Sequence, residues 1–357
     1  MDKQLNTTGL ILCTCEGKIP IHIDLEAIEA LLEKKKIQVV RANKLCEDWT
    51  PLENLASQSK LAGLVIGACS DEIFLSNLRD KLNQAGVDEF STSTLDLLGQ
   101  SLLDLDRKTN TQLAALLLEG LLEKVKRYPG ASPDNLKSYW YRSGEKMSRR
   151  KLFSIPRIRY NLIPTVEKQK CLAWKGCYLC FAGCPKQALI KEGDSVSIDK
   201  SLCTGCGACI APCPTGCIVY PGYTFPELEA QIETLLVSTG GLSPLLRDNT
   251  VIAFVCSPAQ GIFQEFLREH SVLAPYIIPV NIPCLALASP YLIIKTLSLG
   301  ASSVLLLSCK SGCQKGIEPE KIEENAQMAQ ALAEALGIKD KIVSYVAQDD
   351  IHNIAER

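Results

Sequence analysis

Cysteine is the residue type with the clearest capacity for chemistry in this chain, because 17 cysteines stand against three histidines and three methionines. Nine of them lie between residues 171 and 217, and eight of these form two runs. The run from Cys203 to Pro214 reads C-x2-C-x2-C-x3-C-P. The run from Cys171 to Pro185 repeats that pattern with three residues inserted after its first cysteine. Thiols spaced this closely are typical of metal sites.

The spacing favours two [4Fe-4S] clusters over zinc or disulfides. The tight C-x2-C-x2-C loop supplies three thiolates, and in bacterial two-cluster ferredoxins the fourth comes from the cysteine before proline in the other run. Zinc prefers two C-x2-C pairs with a longer spacer. Disulfides are typical of secreted chains, whereas the start of this one lacks a signal-peptide pattern. The expected ligands are Cys171, Cys177, Cys180 and Cys213 for one cluster, and Cys203, Cys206, Cys209 and Cys184 for the other.

Three other residues near these runs are expected to pack rather than react. Cys217 stands where such ferredoxins usually carry alanine, and it reads as a small buried residue. Trp174 and Tyr178 lie close to the first run and are expected to shield its cluster from water rather than to carry electrons. Gly205 and Gly207 should let the backbone turn tightly and direct N–H groups at sulfur.

The remaining eight cysteines form two sets of four at the ends of predicted strands. All strands of a parallel sheet end at one edge, where ligands bind, so the thiols of each set should converge. We expect a cluster in each set, with buried or redox-active thiols as the alternative. The N-terminal set is Cys13, Cys15, Cys46 and Cys69, and the C-terminal set is Cys256, Cys284, Cys309 and Cys313.

Short apolar runs alternate with amphipathic stretches on both sides of the cysteine runs, and this alternation predicts parallel α/β sheets. The predicted N-terminal strands cover 9–13, 36–42 and 61–68, with helices at 24–35, 70–86 and within 95–127. The predicted C-terminal strands cover 251–256, 276–284, 303–309 and 341–348, with helices near 258–269, 288–299 and 319–336. The fold class is therefore α/β, with two small parallel-sheet domains flanking a bacterial-type 2[4Fe-4S] ferredoxin domain.

The same pattern gives the expected domain boundaries. Residues 129–164 are rich in arginine and lysine, and they are interpreted as a solvated linker or, alternatively, as a docking strip for an acidic partner. The domains are an N-terminal α/β domain at 1–128, the basic linker at 129–164, the ferredoxin at 165–222, a connector at 223–249 and a C-terminal α/β domain at 250–357.

Composition narrows the function classes. A formal net charge of -2 offers no global attraction for nucleic acid or an anionic membrane. The most apolar stretch, 275–294, contains four prolines, so no membrane span is expected. The number of clustered thiols fits a reducing compartment, and the expected location is cytoplasmic.

The N-terminal segments LCTCEGKI, ANKLCEDW and LVIGACSDEIF resemble the N-terminal domain of the flavin-carrying A subunit of heterodisulfide reductase. That resemblance implies a [4Fe-4S] cluster on Cys13, Cys15, Cys46 and Cys69. Here Glu16 separates Cys15 from Gly17, which is a small departure from the family pattern. The relative's flavin domain needs a G-x-G-x-x-G turn, and no such run occurs, so neither FAD nor NAD is expected.

Residues 250–348 resemble the delta (iron–sulfur) subunit of methyl-viologen-reducing hydrogenase. The likeness rests on Ile282-Pro283-Cys284 and on the stretch from Gly300 to Cys309 and Cys313. It implies a [2Fe-2S] cluster and electron transfer between a hydrogenase or dehydrogenase and a heterodisulfide-reductase-like complex. The family usually opens with a C-x-x-C pair, whereas this chain has Cys256-Ser257-Pro258-Ala259.

The leading hypothesis is an electron-relay subunit with four clusters. Its implied partners are other redox subunits, namely a flavoprotein, a hydrogenase or dehydrogenase, or a heterodisulfide-reductase-like protein. One alternative is a thiol/disulfide oxidoreductase that uses Cys309 and Cys313, and another is a carrier of iron–sulfur clusters.

Overall fold

The computed structural model divides the chain into two compact units. The first contains Met1–Gly130, Gly222–Gly312 and Glu318–Arg357, and the second contains Ala131–Pro221 and Cys313–Ile317. The predicted basic linker lies almost wholly outside the described residues. The structure describes residues 7–35, 37–58, 61–69, 72–101, 105–128, 130, 163–237, 249–309, 313, 315, 317–338, 341–347 and 350–351.

A parallel four-stranded sheet forms the N-terminal part of the first unit, in the order β2-β1-β3-β4. Its two central strands are buried along most of their length, as expected where helices cover both faces of a parallel sheet. The polar edge strand β4 was not among the predicted strands, and its last two residues overlap the segment predicted as helical at 95–127. The strands are β1 (Thr7–Cys13), β2 (Gln38–Ala42), β3 (Leu61–Ala68) and β4 (Thr92–Asp96).

The helices of this part connect and cover those strands. Asp24 caps the first helix by accepting a hydrogen bond from the Ala27 N–H, and Asp106 caps the last by accepting from Lys108 and Thr109. That last helix is buried through most of its length, and its residues lie within the helical segment predicted at 95–127. The helices are α1 (Leu25–Glu33), α2 (Thr50–Gln58), α3 (Glu72–Gln84), α4 (Leu97–Ser101) and α5 (Arg107–Lys126).

The second unit is built mainly of loops that carry the two cysteine runs. Two antiparallel strand pairs order these loops: β5 with β8, and β6 with β7. The hydroxyl of the buried Tyr220 donates to the Gly205 carbonyl at 2.8 Å and so fixes the loop of the second run. The elements are β5 (Thr165–Val166), α6 (Leu179–Ala182), β6 (Leu189–Glu192), β7 (Ser195–Ile198) and β8 (Ile218–Val219).

Helix α7 (Phe225–Val237) begins the C-terminal part of the first unit, within the predicted connector. It starts with a capping box: Glu227 accepts hydrogen bonds from the Thr224 N–H at 2.9 Å and the Thr224 hydroxyl at 2.7 Å. The helix packs closely on α5, since a Cβ at Gly120 would lie 3.1 Å from a Leu235 methyl group. The segment predicted as a connector therefore contains a helix that packs in the first unit.

A second parallel sheet follows in the order β10-β9-β11-β12, the same sequence of strands as in the first. In both sheets the second strand is added on one side of the first strand and the third strand on the other side. This reversal of strand order makes a topological switch point between β1 and β3, and between β9 and β11. The α/β class with parallel sheets around a ferredoxin-like middle region is thereby confirmed. The elements are β9 (Val251–Cys256), α8 (Gln260–Glu269), β10 (Ile277–Ile282), α9 (Pro290–Ser298), β11 (Ser303–Ser308), α10 (Pro319–Ala335) and β12 (Ile342–Ala347).

Among the helices of the described ranges, none combines the length and apolar character needed to cross a bilayer.

Candidate metal centres

One pocket of the second unit gathers cysteines from both runs. It encloses about 280 Å³, part of which is open to solvent. Three of its four predicted ligands come from the first run, and Cys213 comes from the second. Leu172, Val196 and Pro214 supply apolar walls. The cysteines that line this first pocket are Cys171, Cys177, Cys180, Cys213 and Cys217.

The second pocket encloses about 320 Å³ and reverses this arrangement. Three of its cysteines come from the second run and Cys184 from the first. Leu189 and Ile198 lie among its apolar walls. The structure thus brings together each of the two predicted sets of four cysteines, in which three come from one run and the fourth from the other. That they ligate clusters stays a prediction. The cysteines of this second pocket are Cys203, Cys206, Cys209 and Cys184.

Backbone N–H groups point at several of these sulfurs. Gly205, which has a left-handed φ of 63°, donates its N–H to the Cys203 Sγ at 3.4 Å. The N–H of Ala188 donates to the Cys184 Sγ at 3.3 Å. The expected tight turn that aims N–H groups at sulfur is confirmed at Gly205. Such donors stabilise negative charge on a thiolate.

Burial is the largest influence on four thiols of the two pockets. It raises the pKa of Cys180 to about 11 and also raises the pKa values of Cys203, Cys206 and Cys209. At Cys171 burial is outweighed, and the N–H groups of Ala173 and Val196 lower the pKa. Buried thiols of this kind reach the thiolate form when a metal cation compensates their charge.

The chemistry of the donor set fits a polynuclear cluster better than a single ion. Within the described residues, no three Cys, His, Asp or Glu side chains converge closely enough to hold one metal ion. A four-iron cluster holds its thiolates on separate iron atoms, so it needs a wider ring of sulfurs than zinc does. The 17 cysteines, which all lie within the described ranges, are in the reduced thiol form. Four thiols around an apolar pocket therefore suit an iron–sulfur cluster.

Cys217 is a fifth thiol at the first pocket. It is only 3% exposed, which confirms the prediction of a small buried residue. Its Sγ lies 3.5 Å from the Cys213 Sγ, a position that spacing alone does not reveal.

The aromatic residues of the first run behave differently from one another. Tyr178 is half-buried and packs edge-on against Phe181, with 5.5 Å between ring centroids. Trp174, in contrast, is 62% exposed. The prediction that Trp174 shields the cluster is therefore wrong, because the inserted residues form a turn that directs it outward.

The N-terminal set of cysteines lies at the switch point of the first sheet. β1 ends at Cys13, and Cys69 directly follows β3, its neighbour in the sheet. The Cys13 Sγ accepts hydrogen bonds from the N–H groups of Cys15 at 3.4 Å and Leu45 at 3.5 Å. Parallel strand pairing thus brings residues distant in sequence to one edge, as predicted.

A left-handed turn places Cys15 in this set. Cys15 and Glu16 have φ values of 49° and 55°, a conformation that costs about 1 kcal/mol or more for non-glycine residues. Burial, followed by the neighbouring Cys69 thiol, raises the pKa of Cys15 to about 11. Burial and the Cys69 and Cys13 thiols likewise raise the pKa of Cys46. Cys69 and Cys13 therefore lie close enough to act on both Cys15 and Cys46.

Three cysteines of the C-terminal set converge at the switch point of the second sheet. The Cys284 and Cys309 thiols donate hydrogen bonds to Cys256 and lower its pKa to about 3. The N–H groups of Leu285 and Cys309 add to this effect. Cys256 and Cys284 are each 3% exposed. The fourth predicted member, Cys313, belongs to the second compact unit.

Two segments match known protein families. Residues 163–214 match the family described as 4Fe-4S dicluster domain. Residues 251–356 match the family described as methyl-viologen-reducing hydrogenase, delta subunit. The first match covers all eight cysteines of the two runs, and the second covers the sheet that holds Cys256, Cys284 and Cys309.

A curated relative points in the same direction. The chain is similar to the pyruvate synthase subunit PorD of Thermotoga maritima, with 38% identity over 52 residues. This stretch is 14% of the present chain and 50% of that protein, so the chain spans half the length of the relative. The two family matches and this relative together support an iron–sulfur electron-transfer subunit with two [4Fe-4S] clusters in its middle section.

Proposed function

We propose that this chain relays electrons between other redox subunits through four iron–sulfur centres. The observation that carries the proposal is the crossed sharing of the two pockets, in which each run supplies three cysteines to one pocket and one to the other. This arrangement supplies no catalytic group. It supplies two neighbouring sites for clusters, which accept and release single electrons when bound.

The residues of the second unit have distinct tasks in this proposal. Cys171, Cys177, Cys180 and Cys213 would hold one [4Fe-4S] cluster, and Cys203, Cys206, Cys209 and Cys184 the other. The N–H groups of Gly205 and Ala188 offset negative charge on sulfur. Apolar walls such as Val196 and Ile198 limit the access of water, which tunes the reduction potential.

The two outer centres belong to the same proposal. Cys13, Cys15, Cys46 and Cys69 would hold a third [4Fe-4S] cluster, which is supported by their convergence and by the resemblance to the A subunit of heterodisulfide reductase. Cys256, Cys284, Cys309 and Cys313 would hold a [2Fe-2S] cluster, which is supported by the thiol contacts of Cys256 and by the match to the hydrogenase delta-subunit family.

Partners and domains complete the proposal. We expect electron exchange with a flavoprotein, a hydrogenase or dehydrogenase, or a heterodisulfide-reductase-like protein. We propose an N-terminal α/β domain at 1–128, a linker at 129–164, a ferredoxin at 165–222 and a C-terminal α/β domain at 250–357, with the packed helix α7 in the segment 223–249.

Iron analysis of anaerobically purified protein tests the proposal. Three [4Fe-4S] clusters and one [2Fe-2S] cluster require about 14 iron atoms per chain. Low-temperature EPR after dithionite reduction should show reduced clusters. A content near eight restricts the clusters to the second unit. Zinc in place of iron, or colourless protein, overturns the proposal.

The low pKa of Cys256 favours one second candidate, thiol/disulfide exchange at the C-terminal cysteines, because the thiolate is the reactive form. Alkylation of the cluster-loaded chain distinguishes the two. Labelling of Cys309 or Cys313 supports disulfide chemistry, and protection of both supports cluster binding.

A further inference from the structure

The three-residue insertion in the first cysteine run has a defined structure. Residues Ala173–Lys175 form one turn of 3-10 helix, and Gly176 closes it with a left-handed φ of 83°. The Cys177 N–H then donates to the Leu172 carbonyl at 3.2 Å, which returns the chain to the pocket. The second run has only two residues between Cys203 and Cys206 and lacks this insertion.

The turn is anchored on one side and presented to solvent on the other. Ala173 is 4% exposed, and its N–H faces the Cys171 thiol. Trp174 is 62% exposed and does not line the pocket. Leu179, between the next two pocket cysteines, is 55% exposed. Trp174 and Leu179 are thus two large exposed apolar side chains five residues apart, and grouped exposed apolar residues mark interaction sites more often than single ones do.

Two lysines lie beside aromatic rings of this segment. The Lys175 ammonium lies 4.7 Å from the centroid of the Trp174 ring, and the Lys191 ammonium lies 5.3 Å from that of Tyr178. Two lysines just before the first run, Lys168 and Lys170, pair with carboxylates. Lys175 and Lys191 instead lie against aromatic rings, and Lys191 also interacts with Asp194. The charge of Lys175 is therefore the one best placed to meet an acidic surface.

We propose that Trp174, Leu179, Lys175 and Lys191 form a docking surface for an acidic electron-carrier protein whose cofactor lies in an apolar part of its surface. This inference rests on the proposed electron-transfer function. Electron transfer slows steeply with distance, and the turn lies between two cysteines of the first pocket. An exposed tryptophan surrounded by charged residues is the type of residue that dominates binding energy at protein interfaces. The first pocket, rather than the second, therefore faces the partner.

Electron exchange with a flavodoxin, an acidic flavoprotein, tests this surface. The dithionite-reduced, cluster-loaded full chain is mixed with oxidised flavodoxin in a stopped-flow instrument. One electron passes from the chain to the flavin, which takes up one proton from water. Trp174→Ala should lower the second-order rate constant about tenfold, and Trp174→Phe should restore most of it. Lys175→Glu should lower the rate constant more at low salt than at high salt.

Leu202→Ala is the matched control. Leu202 is 51% exposed and precedes Cys203 of the second pocket, so this substitution should leave the flavodoxin rate unchanged. Benzoquinone, a small uncharged oxidant, should oxidise all variants at similar rates, because it needs no docking surface. The docking surface is overturned if Trp174→Ala reacts like wild type, if Leu202→Ala slows the reaction equally, or if the wild-type rate does not depend on ionic strength. A wild-type chain without reducible clusters removes both the docking surface and the electron-transfer function, and iron content with EPR identifies that case.

Discussion

In the second unit, cysteines that are close in sequence line different pockets. Cys180 and Cys184 are four residues apart in the same run, yet Cys180 lines the first pocket and Cys184 the second. The turn closed by the Gln187 N–H on the Cys184 carbonyl, together with the N–H that Ala188 donates to the Cys184 sulfur, holds that side chain in the second pocket.

Combined substitutions make this placement testable. Cys184→Ala should remove about four iron atoms, and adding Cys206→Ala should remove no more, since both residues serve one cluster. Adding Cys180→Ala instead should remove about eight, because two clusters are lost. Iron analysis and EPR spin counting measure the result. If the Cys184→Ala/Cys180→Ala chain keeps as much iron as either single variant, each run closes its own cluster and the crossed assignment fails.

Lys315 is a charged residue placed to adjust the cluster of the second pocket. Its ammonium donates to the Gly205 carbonyl at 2.9 Å, and its own carbonyl accepts from the Thr204 hydroxyl at 3.0 Å. Reduction adds negative charge, which a nearby cation stabilises.

Lys315→Met should therefore lower the reduction potential of the second-pocket cluster and leave that of the first unchanged. An EPR-monitored redox titration separates the two signals. Lys170→Met, at an exposed lysine paired with Glu167, is the control and should shift neither potential. Equal shifts of both clusters in Lys315→Met would indicate a general change in structure instead.

At the scale of elements, strand ends carry the outer sites. Strands β1 and β9 were predictable because each is a continuous apolar run, and cysteine at the end of each one marks the switch-point edge. Strand β4 was not predictable from its polar sequence, because pairing with the buried β3 decides its conformation. Helix α7 was predictable from its capping pair, Thr224 and Glu227, although the segment was predicted to be a connector.

The limits at the cysteine sites have the same physical origin. Spacing predicts which sulfurs converge, since cluster geometry and parallel pairing act through the backbone. It does not predict side-chain direction within an insertion, and this is why Trp174 was placed wrongly. Nor does it show that Cys313 is grouped with the second unit.

The close packing of α5 on α7 gives a prediction at this scale. Gly120→Leu should lower the free energy of unfolding by about 1–3 kcal/mol, because the new side chain meets Leu235 and Gln231. Gly261→Leu is the matched control, since Gly261 lies in α8 with no atom within 4 Å of an added Cβ. Denaturant midpoints of the two variants compare the positions. Equal midpoints would show that α7 shifts to accommodate the new side chain without loss of stability.

At the scale of the whole molecule, the first unit buries two opposite charges, Lys124 in α5 and Glu227 in α7. Burial lowers the pKa of Lys124 to about 8, although Glu227 opposes the shift. Burial also raises the pKa of Glu227. The ammonium lies 3.9 Å from the centroid of the Tyr223 ring. These charged groups are retained in a region where apolar residues would pack at lower cost.

This pair predicts a pH dependence of stability. The folded-state pKa of Lys124 lies below its unfolded value of 10.5, so unfolding takes up a proton between pH 8 and 10.5. The contribution of Lys124 therefore opposes folding most strongly below pH 8 and fades as pH rises to 10.5, by up to about 3 kcal/mol.

The double variant Lys124→Met/Glu227→Gln removes both charges and keeps a capping box. Its advantage in unfolding free energy over wild type should be largest near pH 7 and should shrink towards pH 10.5. Urea denaturation across this pH range measures the difference. Parallel profiles for the two proteins would contradict the assignment to Lys124.

The crossed pockets also bear on how the protein is made. A ribosome completes Cys171, Cys177 and Cys180 well before it adds Cys213, so on the proposed ligation the earlier run waits for its missing partner. During that interval these thiols are uncoordinated and open to oxidation. Maturation must therefore follow synthesis of both runs, and a truncated nascent product ending between them could complete neither cluster.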